Sequence, residues 1–223
     1  MQLHAGQHNV VTWMGLAFDL DTIYATILVS TIIICITVLA TRGRAIIPGP
    51  LQNGVEFVLD ALMAQFKPSL GKHAAELSSV LFTFFLFIFV SNEIGLLPNP
   101  HILASPTNNI NTTLGLALAS SAFVSVIALK IKGKAYIAHF FKPFKVFVVI
   151  NVIEEIVKPM TLAFRLFGNI LAGEILLEIL YYLVPVGIPI IWLIFSLVIG
   201  LIQAFIFTIL TTSYLGSAIG DDH

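Results

Sequence analysis

The sequence predicts an all-α membrane protein with about five membrane-crossing helices and one amphipathic interfacial helix, the last two helices forming a long, strongly tilted hairpin. Composition supports this fold class, because 58% of the 223 residues are hydrophobic and only 10% are charged. Soluble domains carry about 25% charged residues. Mean hydropathy is +0.99. Length supports it too, since several uncharged runs reach the roughly 20 residues that cross about 30 Å of hydrocarbon.

Six helical segments follow one another in a single transmembrane domain, residues 1–223. They are span 1 (22–41), an interfacial helix (50–68), span 2 (77–97), span 3 (112–131), a long tilted helix (146–184) and a final helix (190–216). The spans are apolar runs of helical length. The interfacial helix places apolar residues such as Leu59 and Phe66 opposite charged ones, which is typical of a helix lying on the membrane.

Basic residues predict the orientation of these helices. Lysines are densest after span 3, at Lys130, Lys132, Lys134, Lys142 and Lys145, and Arg42 and Arg44 follow span 1. Loops rich in Lys and Arg stay on the cytoplasmic side. We therefore expect segments 42–72 and 130–145 inside, segment 98–110 outside, the N-terminus outside and the C-terminus inside.

Polar residues near the end of span 2 are expected at the outer surface. Asn92 and Glu93 come close to the end of that span, and the following loop is rich in proline and asparagine. Such a composition is typical of a capped turn. The loop is therefore interpreted as a capped turn.

The segment 146–184 is apolar along its whole length but contains several charged side chains. As one helix it would be roughly 60 Å long, twice the hydrocarbon thickness. It must tilt steeply or break, and Pro159 and Gly168 are candidate breakpoints. A turn at Pro185, Gly187 and Pro189 then leads into the final helix.

Charged and polar side chains form a stripe along that segment. On a helical wheel one face carries Glu154, Lys158, Thr161 and Arg165, while Glu174 and Glu178 fall on the opposite side. An arginine at membrane depth costs about 2.5 kcal/mol or more, so it needs a partner or a function. One interpretation is a buried ion pair of Arg165 with Glu154, Glu155 or Glu174. The other is an ion pathway, because acids outnumber bases here.

The final helix carries a second polar stripe. Its members are Ser196, Gly200, Gln203 and Tyr214. The two stripes either face each other or line an aqueous path. Gln203 by itself also fits a hydrogen bond between helices.

Four stretches of the chain resemble one membrane-protein family. RLFGNILAGE, from Arg165 to Glu174, is similar to the signature of subunit a of the F-type ATP synthases. KPMTLAFRLFGN resembles the lead-in to that signature, LIQAFIFTILTTSYL the last-helix glutamine segment, and SPTNNINTTLGLAL the loop before the third span. The blocks keep the family's order from about residue 98 onward.

The resemblance implies a stator subunit beside a rotating ring of c subunits, each with one ion-binding carboxylate. Arg165 matches the family's essential arginine, whose charge favours the ionised ring carboxylate and separates two offset half-channels. Asn169, Glu174 and Gln203 match positions that line the outer half-channel or orient the arginine. Thr161 matches a small hydroxyl position on the inner side. Peripheral-stalk b subunits and the other ATP synthase subunits are the further partners implied.

Two positions depart from the family pattern. Ser196 stands where some bacterial members have a histidine, so no imidazole is present there to relay a proton to Glu174. Glu178, one helical turn beyond Glu174, is a candidate substitute. Asn109 stands where relatives often have an aspartate, which removes a charge from the outer access path.

Other functions leave specific signals that this sequence lacks. Cys35 is the only cysteine, the histidines have no metal-ligand spacing, and no phosphate-binding GxxxxGK[ST] motif is present. We therefore expect no cofactor, no metal, no catalysis by the chain alone and no nucleic-acid partner. The alternative is a stand-alone secondary ion transporter or antiporter, and a structural scaffold is a third. A bacterial plasma (inner) membrane fits the short chain, and an organelle-encoded copy would look similar.

Overall fold

Helices make up almost all of the part of the chain that the computed structural model describes, residues 10–13, 16–42, 48–96, 105–139, 141, 148–184 and 187–220. Its α-helices are α1 (Leu20–Thr41), α2 (Pro50–Leu70), α3 (Ala74–Gly95), α4 (Ile110–Lys132), α5 (Lys134–His139), α6 (Val148–Leu183) and α7 (Ile188–Ile219). Of the residues named above, Arg44, Lys142, Lys145, Pro185 and most of the loop 98–110 lie outside these ranges.

Five helical segments of the described chain are long and apolar enough to cross a membrane. They are α1, the 46-residue stretch Pro50–Gly95, α4, α6 and α7. The prediction of an all-α, multi-pass membrane protein is thereby confirmed.

Helix α2, the predicted interfacial helix, runs almost directly into α3. Only the 3-10 turn Gly71–His73 separates them. Gly71 has a φ of 52°, a conformation that glycine reaches without steric cost. Leu62, Phe66 and Leu70 are buried on α2, so this helix packs into the bundle along one face. Its place at the membrane surface stays a prediction.

A short β-hairpin precedes α1 and was not predicted. Strand β1 (Val10–Trp13) pairs antiparallel with β2 (Leu16–Asp19), with Val10 opposite Asp19. Strands of four residues show too little alternation to be recognised in a sequence this apolar.

Helix α6 is continuous through Pro159 and Gly168. Its 36 residues give a length of about 54 Å, and the 32 residues of α7 give about 48 Å. Of the two alternatives for this segment, the break is excluded. Both helices exceed about 30 Å of hydrocarbon, so they tilt or project beyond it.

The core lies where α3 packs against α7 and where α4 packs against α6 and α7. Leu81, Phe85 and Phe207 are buried at its centre. At Gly200 the helices α3 and α7 approach so closely that an added Cβ would lie 3.0 Å from Glu93 Oε1 and 3.2 Å from Asn92 Cβ. This contact fixes the position of the polar end of α3 against α7.

Candidate functional site

Arg165 lies on the exposed face of α6. Thr161, Gly168 and Ala172 share that face and are also exposed, and an added Cβ on Gly168 would meet no described atom within 4 Å. Within the described part of the chain Arg165 makes no salt bridge. The side chain is thus a cation on a smooth outer surface of the bundle.

The acids suggested as partners of Arg165 are engaged elsewhere. Lys158 Nζ lies 3.2 Å from Glu154 Oε1 and 3.3 Å from Glu155 Oε2. Asn108 Nδ2 donates a hydrogen bond to Glu174 Oε2. The interpretation of Arg165 as one half of an ion pair with these residues is therefore not supported.

One cavity, which we call the Glu174 cavity, lies between α3, α6 and α7, and its largely apolar wall carries a few polar side chains. Its volume is about 170 Å³. Two of the predicted site residues on α6, Asn169 and Glu174, line it together with Ser196 from α7 and Asn92 from α3. Trp192 forms part of the wall, and its Nε1 donates to Gly173 O at 3.1 Å. The structure thus brings Asn169, Glu174 and Ser196 together.

A second cavity, the Lys158 cavity, lies near the other end of α6. Its volume is about 110 Å³. Glu154, Glu155 and Lys158 line it, along with Lys132 from α4 and Tyr214 from α7. The Lys158 ammonium lies 5.6 Å from the centre of the Tyr214 ring, which is within range of a cation–π interaction.

Arg165 lies between the two cavities along α6. The nearest lining residues on this helix are Leu162 for the Lys158 cavity and Asn169 for the Glu174 cavity, which are separated by about 10 Å along the axis. At 100° per residue Leu162 and Asn169 fall on the same side of α6, next to Arg165, whereas Glu174 falls on the opposite side of the helix. Neither cavity is lined by Arg165 itself.

The segment 105–109, part of the loop expected to be a capped turn, is buried. Each of its five residues is buried, and it includes the 3-10 turn Pro106–Asn108. Ser105 Oγ donates to Ser91 O at 2.8 Å and lies 2.7 Å from Thr107 Oγ1. The turn is buried because helices α3, α4 and α6 surround it and supply its hydrogen-bond partners.

Asn92 is likewise buried, with a fractional exposure of 1%, and its place at the outer membrane surface stays a prediction. Its Oδ1 accepts from Thr107 Oγ1 at 2.9 Å, and its Nδ2 donates to Gly200 O at 3.1 Å. Asn92 thus ties the 105–109 turn to α7. Glu93, beside it, is partly buried, and its Oε1 has no hydrogen-bond partner within the described residues.

Asn109 caps α4 and contacts the start of α1. Its Oδ1 accepts from Asn111 N at 2.8 Å, the N-cap geometry. Its Nδ2 donates to Asp19 Oδ2 and lies 3.3 Å from Thr22 Oγ1. The capped-turn interpretation is therefore right for Asn109. Asn109 stands where relatives often have an aspartate, and Asp19 supplies a carboxylate next to it.

The remaining predicted residues lie apart from the two cavities. Gln203 is buried, and its Nε2 has no hydrogen-bond partner within the described chain. Thr161 Oγ1 donates to Val157 O of its own helix at 2.9 Å. Glu178 is half-buried one turn beyond Glu174. Neither Thr161 nor Glu178 lines either cavity.

Sequence reasoning missed Asn108, which bonds Glu174, and Trp192, which lines the Glu174 cavity. Asn108 lies 66 positions from Glu174 along the chain, so periodicity gives no signal for their contact. Trp192 is partly buried, and nothing near it in the sequence indicates that its N–H bonds Gly173 O.

Comparison with known proteins identifies the family. The model of the ATP synthase A chain family matches residues 23–216. The chain belongs to this family. It is 39% identical over 213 residues to ATP synthase subunit a of Desulforamulus reducens, covering 91% of this chain and 80% of that protein. It is 34% identical over 226 residues to the subunit a of Acidothermus cellulolyticus, covering 98% and 83%.

Membership of the ATP synthase A chain family fits the architecture. Several helices able to cross a membrane are what a membrane-sector subunit of an F-type ATP synthase requires. The chain is accordingly a multi-pass membrane component of that enzyme complex.

Proposed function

We propose that this chain is the ion-translocating stator subunit of a rotary F-type ATP synthase, and that its two cavities act as offset half-channels on either side of Arg165. The coupling ion in this proposal is the proton. The observation that carries the proposal is the order along α6 of the Lys158 cavity, Arg165 and the Glu174 cavity. Water can enter both cavities, but neither contains the arginine.

The exposure of Arg165 supports a partner outside this chain. A guanidinium facing lipid costs about 2.5–3.5 kcal/mol, whereas a carboxylate 4 Å away returns about 4 kcal/mol at an effective dielectric constant of 20. A ring carboxylate brought to this face would therefore be held in its ionised form. The same positive charge repels a proton that would pass directly from one cavity to the other.

Side chains of the Glu174 cavity would carry protons toward the ring. Glu174 and Asn169 line this cavity, and carboxylates with water transfer protons without an imidazole. Gln203, buried on α7 with an unused Nε2, would orient Arg165 or its ring partner. Glu178 is proposed as a further proton carrier in place of the missing histidine at position 196.

Side chains around the Lys158 cavity would form the opposite path. Thr161, about one turn before Arg165 on the same exposed face of α6, would take the inner hydroxyl role. Lys132, which belongs to the basic cluster after span 3, lines the cavity. Because basic loops stay inside, this cavity is assigned to the cytoplasmic side of a bacterial plasma membrane, with the N-terminus outside and the C-terminus inside.

The partners in this proposal are the c ring and the peripheral-stalk b subunits. The smooth face around Arg165, with Gly168 and Ala172, allows close approach of a ring helix. Copurification distinguishes this proposal from a stand-alone ion transporter. A transporter would be isolated without a c ring.

ATP-driven proton pumping in vesicles carrying the whole complex tests the proposal. In the Arg165→Ala variant we expect coupled pumping to be lost, while the catalytic head still hydrolyses ATP once uncoupled. The matched control is Arg42→Ala, which removes an exposed arginine at the end of α1 and should pump normally. Normal coupled pumping by Arg165→Ala would refute the assignment.

A further inference from the structure

The side chain of Asn108 is placed to act on Glu174. It is 2% exposed, and its Nδ2 donates a hydrogen bond to Glu174 Oε2. Its Oδ1 is also buried and has no hydrogen-bond partner within the described chain. An amide is therefore fixed against the one carboxylate that lines the Glu174 cavity.

The turn that carries Asn108 is anchored on both sides. Thr107, one position earlier, donates to Asn92 of α3, which in turn donates to the α7 backbone. Asn109, one position later, caps α4 and bonds Asp19. With both neighbours held by other helices, the Asn108 side chain has little freedom to move away from Glu174.

A primary amide matches both protonation states of a carboxyl group. Its NH₂ donates to an ionised carboxylate, and after a half-turn about χ2 its oxygen accepts from a protonated one. Whether Glu174 is ionised or protonated, the Asn108 amide makes one hydrogen bond to it. The amide group that does not face Glu174, either the NH₂ or the oxygen, is then buried without a partner in the described chain. The two states of Glu174 are thus brought closer in free energy than a fixed donor would allow.

Resting on the proposed function, we infer that Asn108 is the positioning residue of Glu174. It holds the carboxylate in the cavity and follows its protonation by rotating its amide. Some relatives have a histidine where this chain has Ser196. In this chain, Asn108 supplies the neutral hydrogen-bonding partner of Glu174. The proton stays on Glu174 or on water throughout, because an amide does not titrate.

The charged groups on the described elements around Asn108 and Glu174 are mainly acids. Glu93 follows Asn92 on α3, and Asp19 bonds Asn109, the neighbour of Asn108. On α6, Glu178 lies one turn beyond Glu174, whereas Arg165 lies about 13 Å away along the helix. Helix α7 contributes no Asp, Glu, Lys or Arg. A donor amide on Glu174 therefore matters for its ionisation.

The test is the pH profile of ATP-driven proton pumping by vesicles that carry the whole complex. Asn108→Ala removes the donor, and we expect pumping at neutral pH to fall roughly ten-fold, the effect of losing one hydrogen bond to a charged group. Asn53→Ala, which changes an exposed asparagine on α2, is the matched control and should pump as the wild type does.

Asn108→Asp keeps the size of the side chain but places a second carboxyl beside Glu174. Two adjacent carboxyls cannot both ionise easily, so the acid limb of the profile should move to higher pH by about one unit. If Asn108→Ala does not assemble, this isosteric variant decides the question. An unshifted profile with Asn108→Asp would overturn the inference.

The failure of this inference can be told apart from failure of the proposed function. Glu174→Gln and Arg165→Ala are measured on the same vesicles. If both abolish coupled pumping while Asn108→Asp leaves the profile in place, only the role of Asn108 is wrong. If both pump normally, the proposed function is wrong and the role of Asn108 falls with it.

Discussion

Replacing Gly95 by alanine tests whether the 105–109 turn is held as firmly as its hydrogen bonds indicate. Gly95 is the last residue of α3, and an added Cβ would lie 2.4 Å from Ser105 Cβ and 3.3 Å from Ser105 Cα. Two carbon atoms in contact need about 3.5 Å or more. The turn must therefore move by at least about 1 Å.

Ser105 cannot move without losing contacts. Its Oγ donates to Ser91 O, and that hydrogen bond is worth about 1 kcal/mol. Overpacking costs about 1–3 kcal/mol. We expect Gly95→Ala to destabilise this region by about 1–3 kcal/mol in total, even after the roughly 1 kcal/mol that alanine gains over glycine in a helix.

Hydrogen exchange of the assembled complex measures this displacement. Asn108 N donates to Ser105 O at 2.9 Å, so its amide should exchange faster in Gly95→Ala. Because Asn108 moves with the turn, proton pumping should fall as well. Gly115→Ala is the control, since an added Cβ there meets no described atom within 4 Å. Exchange and pumping equal to those of Gly115→Ala would refute the idea of an anchored turn.

Three further substitutions probe neighbouring contacts. Gly200→Ala places a Cβ 3.0 Å from Glu93 Oε1 and should lower the stability of the protein by about 1–3 kcal/mol. Thermal unfolding of the complex would detect this loss. An unchanged melting temperature would argue against close α3–α7 packing. Trp192→Phe removes the hydrogen bond to Gly173 O and should lower stability by about 1 kcal/mol while slowing pumping; equal pumping would mean that this wall of the Glu174 cavity is dispensable. Lys158→Met should change stability by less than about 1 kcal/mol, because its partner Glu154 is exposed. It should nevertheless slow proton passage through the Lys158 cavity. Pumping at the wild-type rate would exclude that cavity as a proton path.

The helices of this protein could be predicted from sequence because lipid imposes a simple rule. A run of about 20 apolar residues must bond its own backbone, and only a helix does so. That rule locates α1, α4 and α7. It says nothing about the hairpin Val10–Asp19, whose strands are too short to show a pattern.

The candidate site could be predicted only in part. Asn169 and Glu174 were singled out by their resemblance to a family motif, and Ser196 by its stripe, and they share one cavity. Asn108 was not singled out, because it lies in a loop rich in proline and asparagine and the residue that it bonds, Glu174, is far away in the sequence. Asn92 and Gly200, whose contact also fixes that loop, lie 108 positions apart. Local composition carries no trace of such contacts.

The helical wheel left open whether Arg165 pairs with an acid of its own helix, and the continuity of α6 decides this question. The wheel places Glu154, Lys158 and Arg165 on one face, so each cation is a candidate partner for the acid. Along an unbroken helix, however, Arg165 lies about 16 Å from Glu154 and about 13 Å from Glu174, whereas Lys158 lies about 6 Å from Glu154.

Only a break at Pro159 could have folded Arg165 back onto Glu154, and α6 has no break there. Lys158 therefore takes the acids of its own turn. Arg165 keeps an exposed charge that no other part of α6 can reach. In a bilayer such a charge needs an anionic partner. The described part of the chain supplies none, and this is the physical reason for proposing a ring carboxylate opposite it.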